Sequence, residues 1–252
     1  MRVKFSYLTN RGRVRDRNED SLLILKEVVS GTSMDAPQIR EVELDRGIFA
    51  VADGMGGLPC GEKASALVLE RLRVRFANSC EEVGLLLREC KAELDSFVKR
   101  TGRCAGMGTA IAGIFLHSGG CVVFNVGDCR VYRLRERIER LTRDHTEAYE
   151  LYERGYIDEE ELRSHPYRNI LTSALLGIPG EGFELHCTQT DVLVGDTYLV
   201  CSDGLWEVFS QEELSLIMGM DIEEAGRFLF RKSYLEGRDN VSFIIFRVLS
   251  AE

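Results

Sequence analysis

Apolar positions along the chain fall into short dense runs separated by charged stretches. Six of these runs read as strands: SLLILKEV (21–28), GIFAVAD (47–53), TAIAGIFL (109–116), CVVFNVGD (121–128), TYLVCSD (197–203) and NVSFIIFRV (240–248). They alternate or stay apolar throughout and are rich in Val, Ile and Phe, side chains that suit a pleated, half-buried surface. RVYRL (130–134) reads as a strand too. The period changes in GEKASALVLERLRVRF (61–76) and EEVGLLLRECKAELDSFVKR (81–100), where Val83, Leu86, Leu87, Cys90, Leu94 and Phe97 make one helical stripe. Two further helices are predicted at 211–218 and 222–235. Strands and helices come in separate runs rather than strict alternation, which predicts an α+β fold and not a doubly wound parallel sheet. The polar helical stretch 144–168 ends in a Pro-containing turn and is expected to project from the body. Residues 30–46 are expected to form a loop or extended hairpin between two core strands, with no chemistry assigned.

Composition narrows this picture. With 252 residues, 44% of them hydrophobic, only four prolines and no linker or repeat, the chain is expected to form a single domain over residues 1–252. A net charge of -9 argues against nucleic acid or an anionic membrane as partner, because both reward a basic surface. The charged N-terminus lacks the apolar core of a signal peptide, and no run of 18 apolar residues occurs, so a soluble, cytoplasmic protein is expected. The eight cysteines are far apart with no C-x-x-C pair. In a reducing compartment they read as small core residues rather than a disulfide frame.

Candidate chemistry lies where strands stop. Three apolar strands end in an aspartate: FAVAD at Asp53, FNVGD at Asp128 and LVCSD at Asp203. Asp239 stands just before NVSFIIF, and Asn18-Glu19-Asp20 precedes SLLIL. Strand ends deliver side chains to the rim of a sheet, so carboxylates distant in sequence can converge there, and converged carboxylates repel one another unless cations lie between them. All-oxygen ligation selects Mg²⁺ or Mn²⁺ over zinc. His117, His145, His165 and His186 show no H-E-x-x-H or comparable spacing and read as surface or packing residues. Gly54, having no Cβ, lets the backbone approach closely, and its carbonyl can itself be a ligand. Any one of these aspartates alone is a turn former or a helix cap; their joint pattern is what points to metal.

In order along the chain, GRVRDRNEDS (12–21), FAVADGMGG (49–57), GEKAS (61–65), MGTA (107–110), FNVGDCRVYRL (124–134), LTRDHT (141–146), HPYRNILTSALLG (165–177), LVCSDGLWE (199–207) and RDNVSFI (238–244) resemble the protein phosphatase 2C family of metal-dependent serine/threonine phosphatases, especially its bacterial members. The resemblance implies a four-layer αββα sandwich, two antiparallel sheets flanked by helices, with a flap over about 144–173 beside the active site. It implies that Asp53 bridges two Mn²⁺ or Mg²⁺ ions, that Asp203 and Asp239 complete the first ion's protein ligands, and that the Gly54 carbonyl serves the second. Glu19 and Asp20 would hold metal-bound waters, with Asp20 placed to orient or deprotonate the attacking one. Arg15 matches the phosphate-binding arginine, whose planar fork suits that task. Asp128 matches the third-metal ligand of bacterial relatives, shared with Asp203. The implied reaction is direct in-line attack by a metal-bridging hydroxide on phosphoserine or phosphothreonine, without a phosphoenzyme. Substrates would be phosphoproteins made by a cognate serine/threonine kinase, and the protein a monomer. Met55 occupies the position where some members carry a histidine acid, so a metal-bound water is expected to protonate the leaving group.

Two departures fall outside the proposed ligands: Cys129 replaces the usual serine after Asp128, and Ser173 replaces an arginine often found near the end of the flap. Cys129 to Arg135 has the Cys-x₅-Arg spacing of a thiolate phosphatase, but the strand-like RVYRL between them lacks the glycines of a phosphate cradle. No P-loop motif is present. The remaining alternative is an inactive phosphoprotein-binding module of the same fold, against which the complete acidic set argues. Arg11, Arg13, Arg15 and Arg17 alternate; if extended, they would share one strand face and could steer an anionic phosphopeptide, or form only a solvated edge.

Overall fold

The computed structural model describes residues 1–55 and 60–250, without the side chains of Glu159 and Arg163. Gly56 and Gly57 of the FAVADGMGG segment therefore lie outside the described residues. One sheet holds β1 (Arg2–Asn10), β4 (Gln38–Glu43), β8 (Arg130–Leu134), β9 (Ile138–Arg140), β12 (Thr197–Cys201) and β13 (Val241–Ser250), in the order β4-β1-β13-β12-β8-β9. The other holds β2 (Ser21–Ile24), β3 (Glu27–Val29), β5 (Arg46–Gly54), β6 (Gly108–His117), β7 (Gly120–Val126) and β11 (His186–Thr190), in the order β11-β7-β6-β5-β2-β3. The short β10 (Leu175–Leu176) pairs with β6. Every strand pairing is antiparallel.

The sheets stack face to face, and each carries helices on its outer side. Phe5, Phe49, Val51, Tyr198, Ile244 and Phe246 fill the space between the sheets, with the Phe246 ring stacked on Phe49 at 4.8 Å and on Tyr198 at 5.0 Å. Ile48, Ala50 and Ala52 of β5 face the opposite way, onto α1 (Gly61–Leu72) and α2 (Cys80–Thr101). Phe243 and Ile245 of β13 likewise meet α5 (Asp203–Trp206), α6 (Gln211–Met218) and α7 (Ile222–Glu236). Each central strand thus buries both faces, which is why FAVAD and VSFIIF read as continuous apolar runs rather than alternating ones. The result is the predicted sandwich of two antiparallel sheets flanked by helices.

Several expectations are corrected. The 21–28 run is two strands, broken at Leu25, whose φ of 60° turns the chain back. Residues 38–43 of the 30–46 segment form an edge strand on β1, itself not predicted because Lys4, Ser6 and Thr9 dilute its apolar pattern. The 144–168 stretch forms α3 (Glu147–Glu153) and α4 (Glu159–Ser164) but begins as part of the body: Asp144, His145, Thr146 and Ala148 are buried, and Thr146 pairs with Leu171. The cysteines do not all behave as core residues. Cys60–Cys104 and Cys80–Cys187 are disulfides, while Cys90, Cys121, Cys129 and Cys201 are free and buried. Separations of 44 and 107 residues leave no local spacing by which either pair could be read from sequence. No helix among the described residues is long and apolar enough to cross a membrane.

Candidate active site

One end of the sheet stack collects the acidic residues. Asp53 is the next-to-last residue of β5, Asp128 follows β7, Asp203 opens α5 directly after β12, and Asp239 precedes β13. Together with Arg15, Glu19, Gly54, Met55 and Asn240, and with Asn169 and Leu171 from the flap, they line a cavity of about 400 Å³. Asp20 lies behind its wall, 1% exposed, close enough to interact with Asp53. All eight predicted residues are therefore brought together, seven on the cavity and one beneath it.

Backbone crowding fixes this arrangement. A Cβ on Gly54 would lie 2.3 Å from the Gly61 carbonyl oxygen and 2.6 Å from that of Glu19, so α1 and the Glu19 loop close on Gly54 only because it has no side chain. The Gly54 N–H donates to the Glu19 carbonyl, which also accepts from the Ser65 hydroxyl at 2.6 Å. Gly204 is as tight, its would-be Cβ 2.0 Å from the Asn240 carbonyl oxygen. Asn240 ties the acidic loops to the arginine loop: its Oδ1 accepts from the Glu19 N–H, and its Nδ2 donates to the carbonyls of Arg11 and Arg17.

Charge in the cavity is poorly balanced. Burial, and then Asp20 and Asp203, hold the Asp53 carboxyl well above the usual carboxylate range. Burial, then Asp128 and Asp239, do the same to Asp203. Burial pushes Asp20 up to about 7 against the hydroxyls of Ser242 and Ser202, and Asp128 up to about 7 with Asp144 adding to the effect. Arg15 is the cation among the described residues that line the cavity, and its Nη2 donates to Asp239 at 2.5 Å. Asp203 Oδ1 and Asp20 Oδ1 are buried without a hydrogen-bond partner. Buried carboxylate oxygens left unpaired are costly and call for a cation or a proton. Among the described residues no three Asp, Glu, His or Cys side chains are grouped so as to hold a metal ion as they stand; the carboxylates line an open cavity instead.

Behind Asp128 a second layer joins the site to the flap. The Trp206 indole N–H donates to the Asp128 carbonyl at 2.9 Å. The Arg130 guanidinium lies 3.4 Å from the centre of the Trp206 ring and makes a forked pair with Asp144, where the flap begins. His145 Nδ1 accepts the Gly127 N–H at 3.0 Å, holding the turn that aims Asp128.

No family model matches the chain. Over 252 residues it is 30% identical to the serine/threonine phosphatase Stp of Listeria monocytogenes, an alignment that spans 95% of this chain and 93% of that one. The chain belongs to the bacterial PPM, or protein phosphatase 2C, family of serine/threonine phosphatases. Solved structures agree: the Mycobacterium tuberculosis phosphatase PstP/Ppp superposes on this PPM phosphatase with a TM-score of 0.83 at 27% identity, covering 99% of this chain and 100% of that one. The catalytic domain of PstP in complex with two manganese ions gives 0.78 at 26% identity, with the same coverage.

For this PPM phosphatase the arginine strip requires correction. β1 ends at Asn10 and residues 12–14 turn, so the four arginines do not share a strand face; of them only Arg15 lines the cavity, while Arg13 donates to the Leu235 carbonyl. Cys129 is fully buried, its thiol pushed far up by burial, which leaves it no role as a nucleophile. Ser173 accepts the Glu184 N–H at 2.7 Å, stitching the end of the flap rather than facing the cavity. Sequence reasoning missed Asn240, Trp206 and the Arg130–Asp144 pair as site residues. Asn240 and Trp206 stand inside the quoted motifs RDNVSFI and LVCSDGLWE, so the signal was present but carried no role.

Proposed function

We propose that this phosphatase hydrolyses phosphoserine and phosphothreonine on proteins by direct attack of water, with divalent cations, Mn²⁺ or Mg²⁺, in the acidic cavity. Asp53, Asp203, Asp239 and the Gly54 carbonyl would hold two ions, and Asp128 with Asp203 a third. The observation that carries this reading is that, among the described residues, five carboxylates line one cavity beside a single arginine, with Asp203 Oδ1 left unpaired. The manganese-bound PstP domain supports the choice of metal. When bound, the cations supply Lewis acidity, which makes water a better nucleophile and offsets charge on the phosphoryl oxygens.

The chain's own groups do the rest. Arg15 stands at the cavity wall with a planar fork suited to phosphoryl oxygens, and Asp239 orients it. Asp20 accepts the Ser202 hydroxyl on Oδ2 and keeps Oδ1 unpaired beneath the cavity, so Oδ1 would be the atom that orients or deprotonates the attacking water where that water reaches the cavity floor. Glu19 orients water at the mouth. Among the described residues the cavity lining contains no histidine, and Met55 brings no proton, so the leaving alkoxide is protonated from water. Residues 1–252 act as one catalytic unit on the products of a serine/threonine kinase.

Phosphate release from a phosphothreonine peptide tests the reading. Wild type with Mn²⁺ should be active, and both the chelated sample and the Asp203→Asn variant should lose nearly all turnover. Equal release in all three samples would end the proposal.

A further inference from the structure

The eight cysteines divide sharply by environment. The four free thiols are buried, and burial pushes Cys90 and Cys121 up to about 12 and raises Cys129 and Cys201 as well, so none is a ready thiolate. The four bridged cysteines are all partly exposed. One bridge, Cys60–Cys104, borders the cavity's backbone from two sides.

On one side, Cys60 is the residue before α1, and Gly61 is the first residue of that helix, packed directly against Gly54. On the other, the Cys104 carbonyl accepts the Met107 N–H, and the next residues grip the Asp53 segment: Met55 N–H donates to the Gly108 carbonyl and the Thr109 hydroxyl to the Asp53 carbonyl at 2.7 Å. The bridge thus clamps the two walls between which Asp53 and Gly54 sit.

Backbone conformation gives an independent sign that the bridge holds these walls. Three non-glycine residues among those described have left-handed φ, and two of them are Cys60 (63°) and Cys104 (60°). Such conformations in ordinary residues persist only where the surroundings impose them. Cys60 also occupies the N-cap of α1, in left-handed conformation and with no side-chain cap hydrogen bond. The helices α2, α6 and α7 start instead on Ser79, Ser210 and Asp221, whose side chains accept a backbone N–H from the first turn. At α1 the disulfide stands where a cap would be.

We propose that Cys60–Cys104 is a reversible thiol–disulfide modification site that sets the affinity of the acidic cavity for divalent cations; this rests on the reading of Asp53 and the Gly54 carbonyl as ligands. A small thiol attacks one bridge sulfur as thiolate, forming a mixed disulfide and releasing the other cysteine; a second thiol then frees the first, so that two thiols are oxidised to their disulfide and two cysteine thiols form. Without the bridge, Cys60 and Cys104 leave the left-handed region, the first turn of α1 loosens, and Gly61 no longer backs Gly54. The cavity then binds cations more weakly.

The test is calorimetric titration of the intact protein with Mn²⁺, oxidised and after reduction with dithiothreitol followed by its removal without air, with thiols counted by mass spectrometry. It is repeated on Cys80→Ser/Cys187→Ser, which retains only the bridge in question, and on Cys60→Ser/Cys104→Ser. Reduction should weaken Mn²⁺ binding at least about tenfold, the scale of re-forming even one of the two left-handed residues when the cation binds, in wild type and in Cys80→Ser/Cys187→Ser. Cys60→Ser/Cys104→Ser should bind weakly in both states. Equal affinity of oxidised and reduced Cys80→Ser/Cys187→Ser, with two extra thiols counted after reduction, overturns the lock while leaving the metal site standing. No Mn²⁺ binding in any sample overturns the metal reading itself, and the lock with it.

Discussion

Replacing Gly54 by alanine adds one methyl group where the structure has no room for it. The new carbon would lie 2.3 Å from the Gly61 oxygen, 2.4 Å from the Gly61 carbonyl carbon and 2.6 Å from the Glu19 oxygen. All three are backbone atoms, so no side chain can swing aside, and α1, β5 or the Glu19 loop must move by about 1 Å to restore ordinary contact. Overpacking of this kind costs about 1–3 kcal/mol of stability, or roughly 2–12 °C of Tm for a chain of this size. Activity should suffer more than stability, because a displacement of about 1 Å at a reacting centre can cost on the order of 100-fold in rate. Thermal melting and phosphate release from a phosphothreonine peptide at saturating Mn²⁺ measure the two effects. Gly84→Ala is the control: it lies within α2, and its added Cβ meets only the Leu185 side chain at 3.7 Å. That variant should keep full activity and gain about 0.5–1 kcal/mol from helix propensity. Gly54→Ala with kcat/KM within twofold of wild type would refute the claim that the Gly54 backbone is part of the catalytic centre.

Three further outcomes are expected. Trp206→Phe keeps most of the ring contact with Arg130 but removes the donor to the Asp128 carbonyl, so Tm should fall by an amount matching about 1–3 kcal/mol; an unchanged melt would show that this bond holds nothing. His145 is kept neutral by burial, which lowers its pKa below 6.5, with Glu184, Arg143, His186 and Asp144 acting on it in smaller measure. Its contribution therefore favours the fold above the unfolded value and is lost as pH falls below it, so His145→Asn should lose less stability than wild type between pH 7.5 and 5.5 in denaturant melts; equal losses would contradict this. Met55→Leu should leave turnover nearly intact, since Met55 lines the cavity without proton chemistry, and a large fall in kcat would restore a role for its sulfur or shape.

The sandwich and its acidic end were legible because central strands buried on both faces leave unbroken apolar runs, and because aspartates at the ends of those runs stand out against them. FAVAD, FNVGD and LVCSD each announced a strand and a cavity carboxylate together. What stayed hidden depends on contacts between distant segments. Cys60 and Cys104 are 44 residues apart and meet only because α2 returns beside the start of α1. Arg130 is explained by Trp206 and Asp144, each more than ten residues away in sequence. β1 was unreadable because Ser6 and Thr9, though polar, are fully buried, Thr9 bonded to Ser242 and Ser6 beneath Gly226 of α7. The alternation of Arg11, Arg13, Arg15 and Arg17 suggested a strand, but Gly12, at φ +70° and with no space for a Cβ beside the Asp239 carbonyl, forces a turn.

The central claim is that the carboxylates of Asp53, Asp203 and Asp239 enclose divalent cations. Anomalous scattering from crystals grown with Mn²⁺ tests it directly, collected on wild type and on Asp203→Asn. At least two manganese peaks are predicted inside the cavity, both in contact with Asp53 and one also with Asp203 and Asp239, with the peak at Asp203 weakened or lost in the variant. Catalytically active wild-type crystals with no manganese at Asp53 would contradict the account.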